Sequence, residues 1–330
     1  MSYMYNKNKQ IYNEIVMNNP RAAFAAELLC VAQENPRVFA ICTDSRGSAA
    51  LNTFAETLPG QFVECGIAEQ NAVSVAAGLT SADIIPFVCG PASFLSLRSA
   101  EQVKVDASYS GTNVKIIGVS GGVSYGALGY SHHALQDVAL MRAIAGMTVI
   151  IPADARQAAV AARALAGNSG PVYLRMGRSD VPDVYSNQDT PFEIGKANQL
   201  FGGTEHAELT IIACGEMIYS ALEASSRLLD MYGIHSNMFD MHTIEPLDTE
   251  ALTIAAETGC VITVEEHDVH GGLGAAVSEW LSQNKPARLR IMGLPHEHLL
   301  NGTSTDIFNH YHLTSDGIAR AAIEMLEVKQ

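Results

Sequence analysis

Short β-branched runs alternate with longer Ala-rich stretches along most of this chain, and that alternation restricts the fold more than any other feature. Apolar runs occur at Val38 to Thr43, Phe62 to Cys65, Ile84 to Val88, Val114 to Val119, Met147 to Ile151 and Val172 to Arg175. Segments with helical spacing, such as Ala68 to Leu79 and Ala155 to Ala166, lie between them. Continuous apolar strands separated by crossover-length helices read as a parallel sheet covered on both faces. The rhythm breaks between Ser179 and Glu208 and resumes from Leu209 with Leu209 to Ala213, a helix over Met217 to Tyr232, Ile234 to Asp240, Cys260 to Val264, a helix after Gly274, and Leu289 to Met292. The expected organisation is two α/β domains, over residues 20–182 and 208–330, joined by a linker over 183–207 that can include a crossing strand.

The length of 330 residues suits two such domains, and 48% apolar against 17% charged residues excludes wholesale disorder. Twenty Lys and Arg against 35 Asp and Glu give a net charge of −15, which repels nucleic-acid phosphates and anionic lipid. The six cysteines are scattered without C-x-x-C spacing and read as reduced core residues. The N-terminal stretch has no leader pattern and no window is apolar enough to span a membrane, so a cytoplasmic protein with no membrane partner is expected.

The most informative segment is FVECGIAEQNAVSVAAGL, Phe62 to Leu79. A strand turns through Gly66 into an apolar helix carrying Glu69 in its first turn, where the helix dipole favours a carboxylate. The surrounding Ala72, Val73, Val75, Ala76 and Ala77 predict a buried helix; a buried carboxylate without a charged partner is pushed toward its protonated form. Downstream, the Gly-rich GGVSYGALGYSHH (Gly121 to His133) places two imidazoles in a loop at a strand end, where parallel sheets form clefts.

GIAEQNAVSVAAGL resembles the glutamate motif of the pyrimidine-binding domain in transketolase-type thiamine diphosphate enzymes. The resemblance continues through SFLSLRSAEQV, YSHHALQDVALMRAIAGMTVIIPAD, VYLRMGR, TIEPLD and VEEHDVHGGLG. It implies transfer of a two-carbon ketol group from a ketose, expected to be a sugar phosphate, to an aldose. Glu69 would then bind N1′ of the cofactor's aminopyrimidine as a catalytic residue, Phe94 would contact the pyrimidine ring, and Asp44 would stand in the cofactor-side wall. His132 would meet substrate oxygens, and Ser48 and Arg175 would grip the substrate phosphate.

Departures from the family pattern point to an unusual donor. Leu128 stands where the family places a hydroxyl-reading aspartate, Ser120 where it has a further histidine, and Leu97 and Ala100 at two aromatic positions. A site that no longer reads a hydroxyl discriminates against donors that carry it; a branched ketose phosphate such as apulose 4-phosphate, or a sulfosugar, is the expectation. The family's Gly-Asp-Gly motif for diphosphate and Mg²⁺ is absent from the chain, and about 20 residues precede the pyrimidine-type domain. The resemblance is therefore to the C-terminal subunit of a split transketolase. A separate diphosphate-domain subunit would hold most of the Mg²⁺ contacts, in an α₂β₂ heterotetramer with a homodimeric core. The β subunit of a 2-oxoacid dehydrogenase E1 enzyme and a non-catalytic scaffolding subunit are the alternatives. His296 and His298 with Glu297, and His267 with His270, match no metal-ligand spacing and read as surface or hydrogen-bonded residues.

Overall fold

A computed structural model describes residues 15–185, 190–203 and 206–327. The first fourteen residues, where no leader was expected, parts of the expected linker and the last three residues lie outside the described residues. The first half contains β1 (Met17–Asn18), β2 (Val38–Cys42), β3 (Phe62–Glu64), β4 (Ile85–Pro91), β5 (Lys115–Val119), β6 (Thr148–Ile150), β7 (Val172–Arg175) and β8 (Val181–Pro182). The second contains β9 (Asn198–Phe201), β10 (Leu209–Ala213), β11 (Ser236–Asp240), β12 (Thr243–Glu245), β13 (Cys260–Asp268) and β14 (Arg288–Leu294).

The larger sheet has seven strands in the order β12-β6-β7-β5-β4-β2-β3, and the smaller has five in the order β14-β13-β10-β11-β9. Both are parallel except at an edge. β9, within the expected linker, pairs antiparallel with β11, and β12, from the second half, pairs antiparallel with β6. The second half thus contributes a strand to the sheet of the first, which local periodicity does not reveal. Strands β1 and β8 form a separate antiparallel ribbon near the start and end of the first half.

Helix Pro20–Glu34 packs with Ala155–Gly167 over one face of the larger sheet, sealing a core that includes Phe24, Leu28, Phe87 and Leu165. On the other face, Ile41, Val73, Leu95 and Tyr173 share one apolar cluster with Ile212, Phe239, Leu252 and Leu273 of the second half. Each such large side chain contributes about 1.5–3 kcal/mol when removed from water, so a core continuous across both halves holds the strand ends of the two sheets in fixed register. Among the described residues, no helix is long and apolar enough to cross a membrane.

All six cysteines are free. Cys30 corrects the core expectation: it is exposed on the outer face of its helix, whereas Cys42, Cys89, Cys214 and Cys260 are buried. The helix Glu69–Thr80 is also less enclosed than its composition suggests. Glu69, Ala72, Val73 and Ala76 form its one buried face, and Gln70, Asn71 and Ser74 face outward.

Candidate active site

The side chains that gather here follow the C-terminal ends of strands in the larger sheet: Asp44 and Ser48 after β2, Glu69 after β3, Phe94 and Arg98 after β4, His132 after β5, and Arg178 after β7. Loops at these ends line a cleft in open parallel sheets because the strand twist splays them apart. The backbone is unusual there. Asp44 and Ser120 both adopt positive φ, 55° and 58°, a region that costs a non-glycine residue energy and persists where neighbours enforce it. The Asp44 amide donates to Glu64 Oε1 at 2.8 Å, which fixes the turn after β2.

Glu69 is 4% exposed, but it is not alone. Arg98 Nη1 donates to its Oε1 at 2.8 Å. Glu69 therefore has a charged partner: the helix Ala92–Arg98 ends with a cation that reaches back to the acid. The guanidinium also lies 4.1 Å over the Phe94 ring, and Phe94 meets the His132 imidazole edge-to-face at 5.3 Å. His132 in turn packs edge-on against Tyr125 at 5.8 Å, while Ser131 Oγ and His132 Nδ1 share a hydrogen bond of 3.0 Å. Tyr125 OH and Ser48 Oγ are hydrogen-bonded at 3.0 Å. A continuous path of contacts therefore joins Glu69, Arg98, Phe94, His132, Tyr125 and Ser48.

The far end of this path is cationic. Arg178 stacks 4.7 Å above the Tyr125 ring, and Arg21 Nη1 donates to the Ser48 carbonyl at 2.6 Å. Burial acts to raise the Tyr125 phenol, but its hydrogen bond with Ser48, the nearby Ser120 hydroxyl and the charges of Arg178 and Arg21 outweigh this and lower it. Burial, with repulsion from Arg178 added to it, lowers Arg21. Two guanidiniums flanking a hydroxyl pair supply the donors an anion takes up, and an anion would relieve their repulsion. Arg21, Arg178 and Tyr125 were not singled out by the sequence. The second arginine of VYLRMGR was the available signal, since it lies three residues beyond a strand end.

The structure does not bring Arg175 to this group. It is 3% exposed, its Nη2 donates to the Glu266 carbonyl at 2.7 Å, and its guanidinium lies 3.7 Å from Asp137 and 3.6 Å from the Glu266 carboxylate. β7 carries Arg175 inward, toward β13. Its partners do position the site: Glu266 Oε1 accepts from the Val123 amide at 2.7 Å, tying the loop that bears His132 to the second half. Gly122, at φ 58°, allows that approach, because a Cβ there would overlap the Glu266 carboxylate.

Near Glu69 and His132, Ile67 is 76% exposed, Leu97 54% and Leu128 56%. A buried acid beside a half-buried aromatic ring offers what an aminopyrimidine needs, a carboxylate for a ring nitrogen and a face for the ring. Thiamine diphosphate therefore fits these residues through its pyrimidine half.

Comparison with known proteins identifies the family. Residues 18–184 match the transketolase pyrimidine-binding domain and residues 195–318 the transketolase C-terminal domain. The chain is 51% identical over 308 residues to an apulose-4-phosphate transketolase subunit from Phocaeicola vulgatus, covering 93% of this chain and 97% of that protein. It is 36% identical over 310 residues to the 6-deoxy-6-sulfo-D-fructose transketolase subunit SqwH of a Clostridium species, covering 94% and 95%. A solved split-gene transketolase, described as an inactive beta4 tetramer, superposes with a TM-score of 0.85 at 37% identity, covering 94% of this chain and 99% of that one. With both domain types present in order and relatives matched over nearly their whole length, the chain belongs to the transketolase family.

Proposed function

We propose that this transketolase subunit, the C-terminal half of a split thiamine diphosphate enzyme, transfers a two-carbon ketol unit from a branched ketose phosphate of the apulose 4-phosphate kind to an aldose. A separate diphosphate-binding subunit would complete the site, in an α₂β₂ assembly. The observation that carries the reading is the bonded Ser48–Tyr125 pair between Arg21 and Arg178, adjoining His132, with the apolar Leu128 exposed on the same loop. That end is built for an anionic group, and the loop beside it offers a hydrocarbon side chain where the family reads a hydroxyl. The 51% identical relative named for apulose 4-phosphate supports the same donor.

Within this reading, thiamine diphosphate supplies the nucleophilic carbon and the electron sink for carbon–carbon bond cleavage. The chain's own residues orient and move protons. Glu69 would hold a proton toward the pyrimidine N1′, which would replace Arg98 as its hydrogen-bond partner; Arg98 is half exposed. Phe94 supports the ring face, and Asp44 closes the wall after β2. His132, with Nδ1 engaged by Ser131, presents Nε2 to a substrate oxygen. Ser48, Tyr125, Arg21 and Arg178 receive the phosphate, while Arg175 acts as a positioning residue by holding Glu266 and through it the His132 loop. The exposed Ile67, Leu97 and Leu128 support an occluding partner surface.

The test is reconstitution with a diphosphate-domain subunit and comparison of kcat/KM for apulose 4-phosphate, 6-deoxy-6-sulfofructose and xylulose 5-phosphate. The reading expects apulose 4-phosphate to lead by at least about 10-fold, roughly 1.4 kcal/mol of discrimination. Rapid turnover of xylulose 5-phosphate alone refutes the donor assignment. A Glu69→Ala complex that turns over at the wild-type rate refutes catalysis by this chain and favours scaffolding.

A further inference from the structure

In the second half of the chain, away from the contact path from Glu69 to Ser48, three side chains from two adjacent strand ends converge. Asp268 closes β13, His270 lies two residues beyond it, and His296 follows β14. One ligand atom from each lies within 4.8 Å of the other two. The Asp268 carboxylate is 2.7 Å from His296 Nδ1 through Oδ2 and 3.9 Å from His270 Nδ1 through Oδ1. The imidazole rings stand 4.5 Å apart, centre to centre. In sequence the two histidines fall in unrelated segments; the parallel pairing of β13 with β14 is what brings them together.

We propose that Asp268, His270 and His296 form a binding site for one divalent transition-metal ion of the Zn²⁺ class. Tetrahedral zinc holds N and O ligands at about 2.0–2.2 Å, which puts neighbouring donors roughly 3.4 Å apart. The two observed carboxylate–imidazole distances bracket that value, so the site closes around an ion by small side-chain rotations. Two imidazoles with one carboxylate suit Zn²⁺, Ni²⁺ or Co²⁺ rather than the harder Mg²⁺, which prefers an all-oxygen shell. The ion is thus chemically different from the one that accompanies thiamine diphosphate. Three protein ligands leave a coordination position for water or another donor.

The arrangement is held before any ion arrives. Asp268 is 5% exposed, and its Oδ1 accepts the His270 amide at 2.9 Å. The Val269 amide donates to the Leu294 carbonyl at 3.0 Å, fastening the two strand ends to each other. From the other side, Arg142 Nη1 donates to the Gly271 carbonyl at 2.6 Å and pins the turn after His270. A nearly buried carboxylate on fixed backbone, with two exposed imidazoles aimed at it, has one ligand preset and two that need only turn toward the ion. An ion there would also fasten the segment whose His298 packs at a tilt against Tyr130, in the loop that carries His132.

The experiment uses the full chain, purified without a histidine tag and stripped with chelator. It is titrated calorimetrically with Zn²⁺, and with Co²⁺ followed by visible absorption. The expected result is one Zn²⁺ per chain and the absorption of a nitrogen- and oxygen-ligated Co²⁺. Losing a supporting group of a metal site costs about 10–100-fold in affinity, so His270→Gln, His296→Gln and Asp268→Asn should each cost at least that. The two histidine side chains are 69% and 68% exposed, so their variants should keep the metal-free melting temperature, which separates a lost ligand from a lost fold. Absence of binding to the wild type, or binding that survives the double substitution His270→Gln/His296→Gln with unchanged affinity, overturns the proposal.

Discussion

Replacing Glu216 by Gln isolates a proton held where the two halves of the molecule meet. Glu216 begins the helix Met217–Tyr232, and its Oε1 is enclosed without a hydrogen-bond partner. It stands against Gly177, where a Cβ would overlap it, and lines a pocket with Arg175, Glu265 and Glu266. Desolvation, reinforced by the Glu266 carboxylate and opposed by Arg175, pushes Glu216 from 4.5 up to about 8. A raised acid means that the folded chain holds a proton the unfolded chain has released. The stabilisation is therefore complete below the unfolded value and is lost as pH rises toward 8. The slope is up to about 1.4 kcal/mol per pH unit, and the full window amounts to at most about 5 kcal/mol, an upper limit because Glu266 shares the proton. Gln mimics the protonated acid. The variant should match wild type near pH 5, exceed it by about 2–5 kcal/mol near pH 8, and show a flatter pH profile. Urea unfolding followed by fluorescence of Trp280, the single tryptophan, measures this across that range. Equal pH slopes in the two proteins, or a constant offset at every pH, refute a protonated Glu216.

Three further outcomes follow from particular contacts. Lys115 is fully buried with Nζ donating to Asn113, Asn168 and Gly170 oxygens, and burial lowers it from 10.5 to about 7. The wild type should gain stability as pH rises from 7 toward 10 by up to about 1.4 kcal/mol per unit, and Lys115→Met should remove that gain in pH-dependent unfolding. Gly122→Ala places a Cβ against Glu266 at positive φ; a loss of about 2–4 kcal/mol in unfolding experiments is expected, and in the reconstituted enzyme a larger drop in kcat than in cofactor affinity. Arg178→Ala should raise KM for a phosphorylated donor about 10–100-fold, the equivalent of about 1.5–3 kcal/mol for a charged hydrogen bond, and leave an unphosphorylated donor unaffected in steady-state assays.

Much of the fold was legible because its signals are local. Fully buried parallel strands need unbroken apolar runs, so β2, β4, β5, β7 and β10 stand out in the sequence, and Gly66 followed by Glu69 marks a helix start where a carboxylate meets a strand end. The edge strands β9 and β12 were not legible in the same way. Each is antiparallel and short, and β12 joins the sheet of the other half, so its pairing depends on a partner nearly a hundred residues earlier. The group around Glu69 shows the same division. The motif identifies the acid, but its pairing with Arg98 depends on how two helices cross.

Sequence by itself determined the two α/β halves, the family resemblance and the candidate residues Asp44, Ser48, Glu69, Phe94 and His132, because strand periodicity and motif order are properties of neighbouring residues. Tertiary structure decided which arginine faces the cleft. Arg175 and Arg178 share one motif, yet strand alternation and burial turn the first inward to Asp137 and Glu266, and the turn after β7 brings the second over Tyr125. It also decided that Asp268, His270 and His296 meet. Charge partners and metal ligands are set by distance in space, which sheet pairing fixes and spacing along the chain does not.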